Sequence, residues 1–114
     1  AANSFRSGFA ELQQGFLGTL RSVGDSVVAA GGKVQISGHT DNIPIAFSER
    51  FDSNWDLSAA RSAAVADYLL DNTAVADGRV TVTGYADTKP LTSNDSPQGR
   101  AKNRRIEVII NSGS

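Results

Sequence analysis

The sequence contains few of the residues that usually build catalytic and metal-binding sites. Its 114 residues include no cysteine and a single histidine, His39. Without cysteine, the chain forms no disulfide, no thiolate zinc site and no cysteine nucleophile. One imidazole cannot supply most histidine-based metal sites, and it leaves little scope for acid–base catalysis. The composition therefore excludes a thiol enzyme and a generic metalloenzyme, and it implies no metal ion or other cofactor.

The sequence also lacks long hydrophobic runs and an excess of one charge. Its longest apolar runs are about four residues, such as residues 27–30, whereas a membrane span needs roughly twenty. Eleven Lys and Arg residues against twelve Asp and Glu residues give a net charge of −1, which creates no positive field for nucleic acid. We therefore expect one globular domain across residues 1–114, without a membrane span, a signal peptide or a nucleic-acid partner.

The spacing of the apolar residues predicts an alternation of helices and strands. Spacings of three and four residues predict helices, and alternation of polar and apolar residues predicts strands. The predicted helices cover residues 9–30, 54–72 and 96–102, and the predicted strands cover residues 33–39, 79–85 and 105–110. Either Ser53 or Asn54 is suited to cap the second helix. The predicted fold is an α/β sandwich with its helices on one face of the sheet.

Two of the predicted strands repeat one pattern of residue types. Residues 33–41 and 79–87 both read basic, Val, polar, aliphatic, hydroxyl, Gly, ring, small, Asp. Because a helix connects them, we expect the strands to be parallel neighbours whose carboxyl ends lie at one edge. Binding sites in such sheets form beyond those ends. Asp41 and Asp87 are therefore expected near a functional rim.

Asp41 and Arg61 are the two residues of this rim that could act together. Arg61 lies in the second turn of the helix that follows Asp41, and its side chain leans back toward the strand end. A carboxylate and a guanidinium could grip a zwitterion, one through its ammonium and the other through its carboxylate. The pair could instead be a solvated salt bridge worth about 0–1 kcal/mol. The spacing alone leaves both interpretations open.

Three other groups of polar residues favour structural roles. The basic cluster near the end of the chain could bind phosphate, but it fits solvated cations and salt bridges better. Its members are Arg100, Lys102, Arg104 and Arg105. His39 has no second ligand and is expected to form a hydrogen bond with a neighbour. A glycosidase-like carboxylate pair is a remaining alternative, and its candidates are Asp41, Glu49, Asp52 and Asp56.

Four motifs, taken in order, resemble the OmpA-like peptidoglycan-binding domain family. They are Ser-Gly-His-Thr-Asp-Asn at 37–42, Asn-x-x-Leu-Ser-x-x-Arg at 54–61, Gly-Tyr at 84–85, and residues 94–107, which end in Asn-Arg-Arg-Ile-Glu. Residues 5–12 also resemble the start of the family's first helix. The chain departs from the family pattern at Ser62, where Ala is usual. No strand precedes Phe5, so the first strand of the family's sheet is expected to be missing.

The resemblance implies a mixed-sheet domain of βαβαβ type that binds the diaminopimelate-bearing peptide stem of peptidoglycan and catalyses no reaction. It implies that Asp41 and Arg61 hold the diaminopimelate zwitterion, and we expect both side chains at a solvated rim. Asn54 corresponds to a residue that lines the pocket, and Leu57 corresponds to its buried apolar wall. The last motif contributes two residues that shape the rim or contact the peptide, Asn94 and Arg104.

Within this family, the chain resembles the branch that anchors flagellar stators. The features in common are Asp-Asn-Ile-Pro-Ile at 41–45 and a long loop leading into residues 51–58. This branch implies a periplasmic fragment of an inner-membrane protein, a homodimer, and a parent protein that pairs with a second membrane subunit. One alternative is an outer-membrane tether with the same ligand. Another is a cell-wall hydrolase that uses loop carboxylates.

Overall fold

Helices and strands alternate along residues 14–43, 51 and 53–111, which are the residues that this computed structural model describes. The helices are Gln14–Ala30 (α1), Asn54–Asn72 (α2) and Pro97–Asn103 (α3), and the strands are Lys33–His39 (β1), Val80–Gly84 (β2) and Arg105–Asn111 (β3). A short 3-10 turn, Asp77–Arg79, precedes β2. The predicted α/β order is confirmed. The first residues of the predicted first helix, including Phe9, lie outside the described residues. The segment before Phe5, where the family's first strand was expected to be missing, also lies outside them.

The three described strands form a mixed sheet in the order β2-β1-β3. β1 runs parallel to β2 and antiparallel to β3, and at its carboxyl end Gly38 is paired with Gly84 and with Ile106. The parallel pairing predicted from the repeated pattern is therefore confirmed. β1 is the central strand, so the residues that follow it leave the sheet between its two neighbours.

The hydrophobic core lies between the sheet and the helices α1 and α2. Val34 and Ile36 of β1 pack there, and both are at most 1% exposed. The helices contribute the remaining large buried side chains, which are Leu20, Val27, Val65 and Leu69. Because alternate residues of a strand point to opposite faces, the buried positions 34 and 36 place Gly38 on the same helix-facing side.

Of the two candidate caps for α2, Ser53 is the one observed. Its hydroxyl accepts a hydrogen bond from the backbone N–H of Asp56 at 3.2 Å. Such a bond satisfies one of the unpaired donors in the first helical turn. The side chain of Asn54 is therefore available for contacts outside the helix.

The paired glycines at the strand ends allow α2 to lie directly on the sheet. A Cβ atom on Gly38 would lie 2.3 Å from the carbonyl oxygen of Ser58, and one on Gly84 would lie 2.5 Å from the backbone nitrogen of Ala59. Both distances are much shorter than a van der Waals contact, and the atoms that each Cβ would meet belong to the backbone of α2. The repeated glycine of the two strands thus brings the first turns of α2 close to the edge where Asp41 emerges.

Candidate functional site

Asp41 lies just beyond the carboxyl end of β1, as the sequence pattern predicted. The backbone there is bonded to the turn after β2, since Thr40 N–H donates to the carbonyl oxygen of Ala86 at 2.8 Å and Tyr85 N–H donates to that of Gly38 at 2.9 Å. Asp41 is only 7% exposed. The ends of both parallel strands and the start of α2 therefore surround this carboxylate.

Both carboxylate oxygens of Asp41 have partners within the protein. Oδ1 accepts a hydrogen bond from the backbone N–H of Ile43 at 3.0 Å, and Oδ2 lies 2.6 Å from a guanidinium nitrogen of Arg104. The Arg104 side chain is 41% exposed, whereas that of Asp41 is 10% exposed. Arg104 thus reaches into the site from the surface and forms the direct ion pair of Asp41.

Arg61 supplies a second guanidinium to the same region. Burial lowers the pKa of Arg61, the positive charge of Arg104 lowers it further, and the carboxylate of Asp41 opposes these effects. Arginine nevertheless stays protonated in proteins. At 8% exposure for Arg61 and 7% for Asp41, the prediction of a solvated rim is wrong for both residues. Because α2 lies directly on the strand ends, the side chains of Asp41 and Arg61 are both buried beneath it.

Asn54 and Leu57 complete the described part of the site on the side of α2. The side-chain amide of Asn54 donates to the carbonyl oxygen of Ile43 at 3.0 Å and lies 3.5 Å from that of Asp41. It thereby ties the segment after β1 to the first residue of the helix. Leu57 is 3% exposed, so it is buried as expected, and its place in the wall of a binding pocket stays a prediction.

Asn94 belongs to a separate network in the loop before α3. Its side-chain oxygen accepts from Nδ2 of Asn103 at 2.7 Å, and its carbonyl oxygen accepts from Arg100 at 2.9 Å. The sequence analysis assigned Asn103 no role beyond its place in a motif, yet this residue is fully buried. Its amide also accepts from the N–H groups of Leu91 and Thr92. The structure thus brings Arg61, Arg104 and Asn54 together around Asp41, while the described contacts of Asn94 serve the loop.

Two buried serines of α2 were also missed by the sequence analysis. Ser58 and Ser62 are each 0% exposed. The hydroxyl of Ser58 accepts the backbone N–H of Ala86 at 3.1 Å, and that of Ser62 donates to the carbonyl oxygen of Thr83 at 2.9 Å. Their spacing of four residues on the apolar side of a helix was the available signal, because a polar group on that side must find a buried partner.

The basic cluster is largely engaged within the protein. Arg100 donates to the loop carbonyl of Asn94, and Arg104 pairs with Asp41. Arg105 donates to Glu107 at 3.0 Å and to the carbonyl oxygen of Lys89 at 2.9 Å. These contacts favour the interpretation of the cluster as structural cations and salt bridges.

His39 occupies the face of the sheet opposite α2. Its ring stacks on Tyr85 with centroids 5.2 Å apart, and Nε2 lies 3.2 Å from a carboxylate oxygen of Glu107. Nε2 therefore contacts a neighbour, as expected for this residue, although the contact is not well aligned for a hydrogen bond. Burial lowers the pKa of His39, as do the positive charges of Arg105 and Lys89, while Glu107 raises it. The imidazole is therefore a buried neutral ring at neutral pH.

Within residues 14–43, 51 and 53–111, no group of three acidic or histidine side chains could hold a metal ion. The same part of the chain has no helix that is both long and apolar enough to cross a membrane. Two of the four glycosidase candidates, Glu49 and Asp52, lie outside the described residues. Asp56 is exposed at the start of α2.

Comparison with known proteins gives one consistent result. A profile described as the OmpA family matches residues 4–104. Motility protein B of Bacillus subtilis is 47% identical over 75 residues, which cover 66% of this chain and 28% of that protein. Peptidoglycan-binding protein ArfA of Mycobacterium tuberculosis is 43% identical over 79 residues, which cover 69% of this chain and 22% of that protein. The chain therefore spans roughly a quarter of the length of these relatives.

The fold is also that of a solved relative. A MotB-like protein from Desulfovibrio vulgaris superposes with a TM-score of 0.88 at 32% sequence identity, over 98% of this chain and 69% of that one. This match supports the α/β architecture with its mixed sheet.

Proposed function

Because the chain belongs to the OmpA family, a family of noncatalytic peptidoglycan-binding domains, we propose that it holds a parent protein to the cell wall by binding the diaminopimelate-bearing peptide stem. The observation that supports this most directly is the arrangement of Asp41, Arg61 and Arg104 at the end of the central strand. One carboxylate beside two guanidinium groups is suited to a ligand that carries both charges on one carbon.

The charges of the site suggest how such a ligand is oriented. Two arginines and one aspartate leave a local charge of +1, which favours the ligand's carboxylate. A guanidinium binds a carboxylate through two parallel hydrogen bonds. Asp41 takes the ammonium group, although its Oδ2 is already bonded to Arg104. The ligand's ammonium therefore shares Asp41 with Arg104, while its carboxylate is held mainly by Arg61.

These contacts are few, so a single domain binds weakly. Each hydrogen bond to a charged group contributes about 1.5–3 kcal/mol, and ordering of the peptide opposes binding. Strong attachment then requires several domains on one polymer, because linked sites multiply affinity. This reasoning fits a homodimeric anchor better than an isolated high-affinity receptor.

The parent protein that we propose is a MotB-like subunit of the flagellar stator, with this domain in the periplasm and a MotA-like subunit as its membrane partner. The 47% identity to a motility protein supports this choice. The rival is a tether of the outer membrane with the same ligand, and the 43% identity to a peptidoglycan-binding protein supports this shared ligand without a role in motility. The residues ahead of this domain in the parent distinguish the two, since a stator requires a membrane helix with an ion-carrying Asp and a lipoprotein tether requires a lipid-modified cysteine.

Co-sedimentation with purified cell walls tests the proposed ligand. Walls whose stems contain diaminopimelate should carry the folded domain into the pellet, and free diaminopimelate should release it. Walls whose stems contain lysine are the matched control, because lysine has the ammonium group without the neighbouring carboxylate. Equal binding to both kinds of wall, or none to either, would contradict recognition of the zwitterion.

A further inference from the structure

A chain of hydrogen bonds connects α2 to the backbone that carries Asp41. The hydroxyl of Ser58 donates to the carbonyl oxygen of Trp55 at 3.1 Å and accepts the N–H of Ala86 at 3.1 Å. The carbonyl oxygen of Ala86 in turn accepts the N–H of Thr40 at 2.8 Å. Ser58, Ala86 and Thr40 are 0%, 1% and 5% exposed, so water does not replace these bonds. The residue after Thr40 is Asp41.

Ala86, which lies in the middle of this series of hydrogen bonds, has an unusual backbone conformation. Ala86 has a φ of 53°, and it is the one non-glycine residue with positive φ in the described part of the chain. This left-handed region brings the Cβ of an L-residue too close to its carbonyl oxygen, and alanine has no polar side chain to compensate. Such a conformation persists when the surrounding contacts impose it. Here its N–H is held by Ser58 and its carbonyl by Thr40.

We propose that Ser58 is a positioning residue for the binding site, acting through Ala86 on the segment that presents the Asp41 carboxylate. This inference rests on the proposed function of that carboxylate. The Ser58 hydroxyl fixes Ala86 in the left-handed conformation, and Ala86 then fixes the N–H of Thr40. Without the hydroxyl, Ala86 relaxes toward negative φ, its carbonyl turns away from Thr40, and Asp41 moves relative to Arg61.

Ser62 provides a control that separates positioning from stability. It lies one turn further along the same buried side of α2, is also 0% exposed, and also bonds to the region of β2, at the carbonyl oxygen of Thr83. Its bond does not involve the segment that carries Asp41. Loss of the Ser62 hydroxyl removes one hydrogen bond and loss of the Ser58 hydroxyl removes two, but only the bond from Ala86 acts on the segment that carries Asp41.

The test compares Ser58→Ala with Ser62→Ala. Both variants should melt at a lower temperature than the wild type, because each loses a buried hydrogen bond. At a temperature where both are fully folded, Ser58→Ala should bind diaminopimelate-type walls roughly tenfold more weakly, and Ser62→Ala should bind like the wild type. Wild-type binding by Ser58→Ala, or equal losses in both variants, would overturn the proposal.

A double variant gives a second, independent readout. Glycine adopts positive φ at little cost, so adding Ala86→Gly to Ser58→Ala should restore part of the lost binding without restoring the hydroxyl. A purely structural role of Ser58 predicts no such rescue. If Ser58→Ala does not fold on its own, two other variants replace it in the comparison. One is the double variant with Ala86→Gly, and the other is Ser58→Thr, which keeps a hydroxyl.

The amide resonance of Ile43 reports on the inference without any ligand. Its N–H donates to Oδ1 of Asp41, so its chemical shift depends on where that carboxylate lies. We expect the shift to change in Ser58→Ala and to be restored toward the wild type in the double variant, with little change in Ser62→Ala. If the wild type fails to bind walls but this pattern holds, the proposed function fails and the positioning role stands. If the wild type binds and the pattern is absent, the positioning role fails.

Discussion

Asp41 and Arg104 lie sixty-three positions apart in the chain and form an ion pair of 2.6 Å. The pair connects the end of the central strand β1 to the start of the neighbouring strand β3, which runs antiparallel to it. Since Arg61 lies in the same region, Asp41 is balanced by two guanidinium groups rather than one. A zwitterionic ligand should therefore divide its two charges between Asp41 and the guanidinium groups.

Asp41→Asn and Arg61→Lys should each weaken wall binding by about 1.5–3 kcal/mol, the range for a hydrogen bond to a charged group. The first change keeps the size of the side chain and removes the partner of the ammonium group. The second keeps the charge and removes the paired hydrogen bonds to a carboxylate. Co-sedimentation and thermal melting should be measured together, because both residues are buried.

Asp87→Asn is the control for this pair, since Asp87 ends the repeated pattern of β2 but is exposed and has no arginine at the position matching Arg61. This variant should lose less wall binding than Asp41→Asn and Arg61→Lys do. If Asp41→Asn and Arg61→Lys bind as well as Asp87→Asn, or lose binding only when they melt, the zwitterion assignment is wrong.

Asn103→Ala should lower the free energy of unfolding by about 2–4 kcal/mol, because this buried side chain accepts from the N–H groups of Leu91 and Thr92 and donates to Asn94 and to the carbonyl oxygen of Thr92. Asn94→Ala removes the acceptor of only one of these bonds, so it should cost less. Urea denaturation of the three proteins measures the order. A cost for Asn103→Ala no greater than for Asn94→Ala would show that the loop does not depend on the other bonds of Asn103.

Stability should fall as the pH drops below about 6.5, because the pKa of His39 is lowered from its usual value of 6.5 in the folded protein. Between the two pKa values the unfolded chain binds a proton that the folded chain does not, so acid favours unfolding there. The loss should be complete below the folded pKa. Denaturation curves from pH 8 to pH 5 would measure it.

His39→Phe keeps the aromatic stack on Tyr85 and removes the titrating group, so its stability should change less over this range. Glu107 contributes at lower pH. Partial burial raises its pKa, but the bond to Arg105 and the charges around it lower the pKa overall, so that contribution disappears only as the pH falls below 4.5. Parallel pH profiles for the wild type and His39→Phe above pH 5 would contradict the assignment to His39.

Gly38→Ala should destabilise the fold strongly or prevent folding, since the new Cβ would lie 2.3 Å from a backbone carbonyl oxygen of α2. Gly18→Ala is the matched control in exposed helix, where nothing lies within 4 Å of the added atom. It should raise stability by about 0.5–1 kcal/mol through better helix propensity. Melting temperatures of the two variants should therefore shift in opposite directions.

Local patterns were sufficient to predict the secondary structure and the parallel pairing of β1 with β2. Alternation and a repeated glycine are properties of single segments, and they located Asp41 at the correct edge. The ion pair with Arg104 depends instead on how β3 folds back beside β1. Four cations in six residues did not by themselves indicate which one reaches the site, and only the family resemblance singled out Arg104. The role of Ser58 depends on the conformation of Ala86, for which alanine gives no sequence signal.

The central position of β1 has a mechanical consequence. Under the proposed function, a wall polymer held at Asp41 pulls on the carboxyl end of a strand whose other end continues into α1. Tension between these two points runs along the covalent backbone of β1, which is already extended, so the hydrogen bonds to β2 and β3 hold the strand in place without carrying the load. An attachment point on β2 or β3 would instead pass the load across one of these hydrogen-bonded ladders. The proposed attachment point therefore lies on the strand that transmits tension through covalent bonds.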